Sequence, residues 1–448
     1  MGRLAAVLLA AMAMALAWPS GPWPSTPAGA RPAYAQEADP PRTESSARVE
    51  FGSEIRFQLR AESAERIRSV LLLYQVDDSN VQNTGVPSYQ PGLVVSATYA
   101  WRVASVLAPG SEVRYQWQLE TESGKRYTTP EQTVTYSDAR FTWREAKADQ
   151  VTVFHREGDG ETGQALLDEA RKVQARLNGE YGLSLERPLR IYAYTRQQDY
   201  VSALGGRAQD VATTVGSDRI FVLAPSGTAN MATSLRALRR EVAHAVFIQK
   251  TRNPYTEPPR WLTEGFALYI GGEEISPESY RALGQYAQAN RLLPLRTLNG
   301  NFPTTDRELA LAYAESLTVV KFIIETYGAD KFRALLAAFK EGNTVDDALK
   351  KGLGVTLDQL ETRWKNALRS GSLARPAGSQ RSAPGETQTG SGGVADRLLG
   401  PAIRYWRGIL GDYTVPVLIG LGSLAAIGVV ALIVSPFYLT WKRAREEE

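Results

Sequence analysis

The chain has 448 residues, 43% hydrophobic and 22% charged, enough to bury sizeable cores in two or three domains. Lys plus Arg total 51 against 48 for Asp plus Glu, a balance of +3 with no basic stripe among aromatics, which excludes a nucleic-acid binder. With no cysteine, disulfides, thiolate metal sites and thiol nucleophiles are excluded, and with two histidines, His155 and His244, so is any mechanism needing three.

Residues 1–35 read as a signal peptide: Arg3 supplies the positive start, Leu4 to Trp18 the uncharged apolar run, and Ala33-Tyr34-Ala35 a small-x-small cleavage site. A polar tether is expected over 36–46. Across 47–138 the text alternates with period two, as in Ile55, Phe57, Leu59 and in Val113, Tyr115, Trp117, Leu119, with turns at Pro109-Gly110 and Ser123-Gly124. That spacing predicts an immunoglobulin- or fibronectin-like β-sandwich, a spacer or binding surface with nothing catalytic in it.

From 140 to 369 a few strands come first (Val151 to His155, Leu189 to Tyr194, Ile220 to Leu223), with a helix from Gly163 to Tyr181 between them. Helices follow at about 230–250, 259–270, 276–290, 306–327, 330–340 and 356–369, an α+β order. Residues 370–394, rich in Ser, Gly and Pro, read as a disordered stalk. A juxtamembrane amphipathic segment is expected over 395–411 and a transmembrane helix over 413–441, flanked by Tyr413, Tyr438 and Trp441. Lys442, Arg443 and Arg445 in the 442–448 tail put that end in the cytoplasm, so the expectation is a single-pass type I protein of the cell membrane with its bulk extracytoplasmic.

Chemistry concentrates in Arg240-Glu241-Val242-Ala243-His244 and, about twenty residues later, in Trp261-Leu262-Thr263-Glu264-Gly265-Phe266-Ala267. Two residues four apart on a helix face one way, and two histidines so placed, with a Glu from the next helix, make a three-ligand zinc site. Here the second of those positions is His244 and the downstream acid is Glu264, but the first position is Arg240.

On these segments, together with Ala312-Tyr313-Ala314-Glu315-Ser316 and the strand Ile220 to Leu223, the region from about 150 to 369 resembles the peptidase MA-like zinc metallopeptidases of gluzincin type, which carry H-E-x-x-H and a downstream Glu ligand. The resemblance implies a zincin-like α+β domain, Glu241 as general base, His244 and Glu264 as metal ligands, Tyr313 steadying the tetrahedral intermediate, and an edge strand near Ile220 holding an extended peptide. Arg240 departs from that pattern: a guanidinium has no lone pair to offer and stays protonated. It suits another arrangement, in which it lies between Glu241 and Glu264 and replaces the metal's charge.

The sequence therefore predicts a membrane-anchored pseudopeptidase without a cofactor, binding an extracytoplasmic protein or peptide. Alternatives are an active zinc-dependent metallopeptidase, with metal held by the degenerate Glu241, His244 and Glu264 set, and an adhesion or scaffold protein acting through the β-sandwich. A set of ordinary surface salt bridges is the plainest reading of Arg240, Glu241 and His244. His155 is expected as a partly exposed strand residue, Trp261 as core, and Glu273 and Glu274 as a solvated turn.

Overall fold

The computed structural model describes residues 39–103, 107–205, 208, 210–225 and 227–374. The signal peptide, the stalk beyond 374, the juxtamembrane segment, the transmembrane helix and the tail lie outside the described residues. Among the described residues no helix is long and apolar enough to cross a membrane.

The first part of the described chain, to Tyr136, is all β. Its strands are β1 (Arg42–Glu50), β2 (Glu54–Val76), β3 (Asn83–Gly85), β4 (Gly92–Arg102), β5 (Ser111–Thr121), β6 (Arg126–Thr128) and β7 (Gln132–Tyr136). The period-two alternation produces them: Ile55, Phe57, Leu59 and Ala61 are buried while Arg56, Gln58 and Arg60 are exposed. All seven strands belong to one hydrogen-bonded sheet, where the immunoglobulin or fibronectin arrangement has two. The reason is β2, 23 residues long, whose first half pairs with β1 and β4 and whose second half pairs with β5 and β3.

A register shift between Ile67 and Ser69 moves the buried face of β2 from odd to even positions, so Val70, Leu72 and Tyr74 now point inward. The two halves of β2 thereby share one core, with Phe57 edge-on to Tyr115 at 4.9 Å. β1 takes up residues 42–46 of the expected tether. Its polar composition hid it, because its half-buried positions are small, and Ser45 accepts a 2.9 Å hydrogen bond from the indole N–H of Trp117.

The second sheet, in the order β11-β12-β10-β9-β8, contains β8 (Trp143–Ala148), β9 (Val151–Arg156), β10 (Leu189–Tyr194), β11 (Ala212–Val215) and β12 (Arg219–Leu223). β9, β10 and β12 run parallel, and β8 and β11 are antiparallel edges. The strand near Ile220 is therefore not an edge: β12 is paired on both sides, and the edge on its flank is β11, which is only four residues long and has no apolar run to announce it. One face of the sheet, with Val153, Ile191 and Val222, packs on α1 (Gly160–Tyr181) and α3 (Thr228–Thr251). The other face stacks Phe154, Tyr192 and Phe221 across three strands at 4.8 and 5.1 Å and receives α2 (Gln197–Leu204).

The remaining helices are α4 (Arg260–Gly271), α5 (Pro277–Gln288), α6 (Asp306–Lys340), α7 (Val345–Leu353) and α8 (Leu357–Arg369). The break expected between 327 and 330 is real: Gly328, at φ 81°, interrupts α6. Residues 372–374, read as the start of the stalk, turn back instead, and Leu373 is buried against the core. The result is a mixed α+β architecture.

Gly265 decides how α4 meets α6. A Cβ there would stand 2.2 Å from the carbonyl oxygen of Ser316, so only glycine lets the backbones approach this closely. That contact brings the Tyr313 turn of α6 beside Glu264.

Two polar hubs join the halves. Asp138 is buried and accepts from Arg140 Nε at 2.8 Å, from Arg140 Nη2 at 2.6 Å and from the Tyr194 hydroxyl at 3.0 Å. Arg219, 2% exposed at the start of β12, donates to Asp77 and Ser111 of the first sheet at 2.5 Å each.

Candidate functional site

The site lies where α3, α4, α6 and β11 converge. α3 carries Arg240 and His244 four residues apart on one face, and buries Leu238, Val242, Ala245 and Val246. α4 is capped by Gly272 in the left-handed conformation, buries Trp261, Leu262, Phe266 and Ala267, and turns Glu264 toward α3. Trp261 is core, as expected, and donates its indole N–H to Asn299 at 3.1 Å.

Glu264 stands between His244 and Arg260. His244 Nε2 is 3.6 Å from one of its oxygens and Arg260 Nε is 3.5 Å from the other. Burial opposes its charge, but the His244 contact and the charges of His244, Arg240 and Arg260 outweigh that and hold the carboxyl down at about 2. His244 responds in the opposite sense: burial disfavours its protonated form, yet Glu264 and Glu241 raise it above the ordinary imidazole value.

Glu241 is already engaged, accepting a 2.7 Å hydrogen bond from the Thr214 hydroxyl on β11. Arg240 is 6% exposed, so the surface-salt-bridge reading is wrong for it. Its burial disfavours charge, and Glu241, Glu264 and Asp210 together more than restore it. Tyr313 is 7% exposed and packs edge-on to Phe302 at 5.2 Å. Burial and then the Glu264 charge push its phenol upward. Above the site the Arg260 guanidinium lies 4.8 Å over the Phe302 ring.

All five residues singled out from the sequence (Arg240, Glu241, His244, Glu264 and Tyr313) thus come together. Asp210, Thr214 and Phe302 were not foreseen. Asp210 is raised to about 6, chiefly by burial and against the pull of Arg240. It sits in a short connection before β11 that carries no motif. Its backbone carbonyl accepts the Tyr200 hydroxyl at 2.8 Å, which fixes the turn.

His155 is elsewhere. It is buried rather than partly exposed, because Gly163 at the start of α1 lets that helix close over its ring. Glu273 is buried too, while Glu274 is exposed, so only half of the expected solvated turn is solvated.

The first position offers a guanidinium, His244 and Glu264 are paired with each other, and Glu241 is held by Thr214. Among the described residues no group of three His, Asp or Glu side chains is arranged to hold a metal ion.

A second buried acid lies behind the site on α6. Glu315 is 0% exposed, and one oxygen accepts from the Leu293 N–H at 2.9 Å while the other has no partner. Burial raises its carboxyl well above the usual range. The folded protein therefore keeps this proton at pH values where the unfolded chain has lost it. The stabilising effect is complete below the ordinary carboxylate pKa of 4.5 and declines as pH rises above it, by at most about 1.4 kcal/mol per pH unit, until the folded carboxyl ionises. Glu315→Gln should flatten this decline: melting temperatures at pH 5 and pH 8 should lie closer together than in the natural chain. Equal slopes would show that Glu315 ionises without penalty.

A family model described as the Peptidase MA superfamily matches residues 169–370. Among solved structures, a Legionella pneumophila aminopeptidase A in complex with aspartic acid is similar at 10% identity and a TM-score of 0.32, with 72% of this chain and 48% of that chain covered. The chain thus spans about half the length of that structure. No curated protein matches. The matched segment runs from within α1 to the end of α8, so it contains the Arg240, Glu264 and Tyr313 helices. Residues 169–370 of this chain form a peptidase MA-like domain.

Proposed function

We propose that the protein is a membrane-anchored pseudopeptidase, an extracytoplasmic peptidase MA-like domain that binds a protein or peptide partner without metal-dependent hydrolysis. The observation that carries this reading is Arg240, buried at the first-ligand position and coupled by charge to the acids that would otherwise serve a metal. Support also comes from Glu241, whose carboxylate accepts from Thr214. The membrane anchor rests on the apolar 413–441 segment followed by Lys442 and Arg443.

The test is the metal content and peptidase activity of the full chain, purified from membranes with zinc supplied and without chelator. The expected result is sub-stoichiometric metal, no cleavage of a mixed peptide library, and retention of some of its members. A full equivalent of zinc that disappears in both His244→Ala and Glu264→Gln, with cleavage that disappears alongside it, would establish the active metallopeptidase instead. Retention unchanged by Glu264→Gln but abolished by substitutions on the first sheet would favour the scaffold.

A further inference from the structure

We propose that Arg240 is a built-in cation that locks α3 against α4, and that Gly271 is glycine in order to admit it. The inference goes beyond the partner-binding reading and stands or falls separately from it.

Consider first what surrounds the guanidinium. It is buried, and its Nε has no hydrogen-bond partner. Three acids from three segments act on it: Glu241 of α3, Glu264 of α4 and Asp210 of the turn before β11. An unpaired cation in such a place is costly, and so are three carboxylates without one.

The C-terminus of α4 supplies the independent observation. Two glycines end this helix, and they differ. Gly272 has φ 77° and closes the helix in the left-handed conformation, which accounts for its being glycine. Gly271 has no positive φ, and glycine inside a helix is unfavourable relative to alanine. What its missing side chain provides is room: a Cβ at 271 would stand 2.8 Å from Arg240 Cγ and 3.7 Å from Cδ. Those atoms belong to the stem, close to the backbone, where a long side chain has least freedom to swing aside. The two positions, 31 residues apart in sequence, are therefore one device: the cation at 240 and the space at 271.

Two double-mutant cycles on the full chain, unfolded thermally at pH 7.5 with chelator present, test this. Gly271→Ala should lower the melting temperature by roughly 3–8 °C in the natural chain. In the Arg240→Ala background it should be neutral or raise it. Asp210→Asn should destabilise the natural chain, where it removes a counter-charge, and stabilise Arg240→Met, where it removes a repulsion. Equal effects of Gly271→Ala in both backgrounds, or the same sign for Asp210→Asn in both, would overturn the proposal. If neither Arg240 variant folds, hydrogen exchange on Gly271→Ala decides: faster exchange confined to 236–246 and 260–272 supports the device, and a change spread evenly over the chain sinks it.

Discussion

Arg240→His should bind one equivalent of zinc, where the natural chain is expected to hold less than that. The substitution puts an imidazole one helical turn, about 6 Å, before His244 on the same face of α3. Glu264 already reaches that face, since one of its oxygens is 3.6 Å from His244 Nε2. Two imidazoles and a carboxylate complete a three-ligand set, and the same exchange removes the fixed charge that repels a divalent ion. Thiolate-bearing zinc-finger peptides bind zinc with apparent free energies of about 10 kcal/mol or more at neutral pH, and a three-ligand site without thiolates should be weaker, so a dissociation constant of roughly 1 μM is expected. Metal analysis after dialysis, with His244→Ala in the same background as control, reads this directly. A folded Arg240→His that stays metal-free would mean that more than one ligand position has been lost. Turnover should remain poor in the zinc-loaded variant, because Thr214 still occupies one oxygen of Glu241. Hydrolysis at once upon zinc loading would show that this hydrogen bond yields readily.

The α+β order and the grouping of the five candidate residues were legible in the sequence for a physical reason. Helical and strand periodicities are set by burial, and Arg240, Glu241, His244 and Glu264 sit on two strongly patterned helices with Trp261, Leu262 and Phe266 behind them. Elements with weaker patterns escaped. β11 is too short to alternate visibly, α2 and α7 are only eight and nine residues long, and β1 presents small polar side chains to its half-buried face. Asp210 and Thr214 belong to such segments, and an acid becomes part of a site through the fold around it, which local text does not encode. The two-sheet expectation failed for a related reason. Alternation reports which residues face inward, but not that β2 continues through a bulge into the second layer. Gly271 was readable as glycine and not as space, because its neighbour Arg240 comes from another helix.

Asp138→Ala should destabilise the whole described structure by about 1–3 kcal/mol, the cost of leaving the buried Tyr194 hydroxyl without its acceptor and the partly exposed Arg140 without its carboxylate. Its carboxylate holds Arg140 through two hydrogen bonds and the Tyr194 hydroxyl through a third, and all of these lie between the halves. Arg140 is locked further by lying over Phe51 of the first half at 4.7 Å and over Phe141 at 5.1 Å. Tyr194 ends β10, the central strand of the second sheet, and β10 pairs with β12, whose partner β11 carries Thr214 to Glu241. The second hub acts on the same sheet from the other end of β12, where Arg219 reaches Asp77 and Ser111. The motif helix is tied to the first half as well: Arg252, at its C-terminus, donates to the carbonyl of Asp78 at 3.3 Å. A spacer domain on a flexible joint would melt by itself and leave the site intact. With hubs at both ends of the sheet, the halves should instead unfold together, and loss of Asp138 should lower that common transition. Hydrogen exchange in denaturant measures this: in the natural chain, β5 and α4 amides should open with one free energy, and Asp138→Ala should lower both equally. Separate transitions, with only the first sheet weakened by Asp138→Ala, would return that half to the role of an independent spacer.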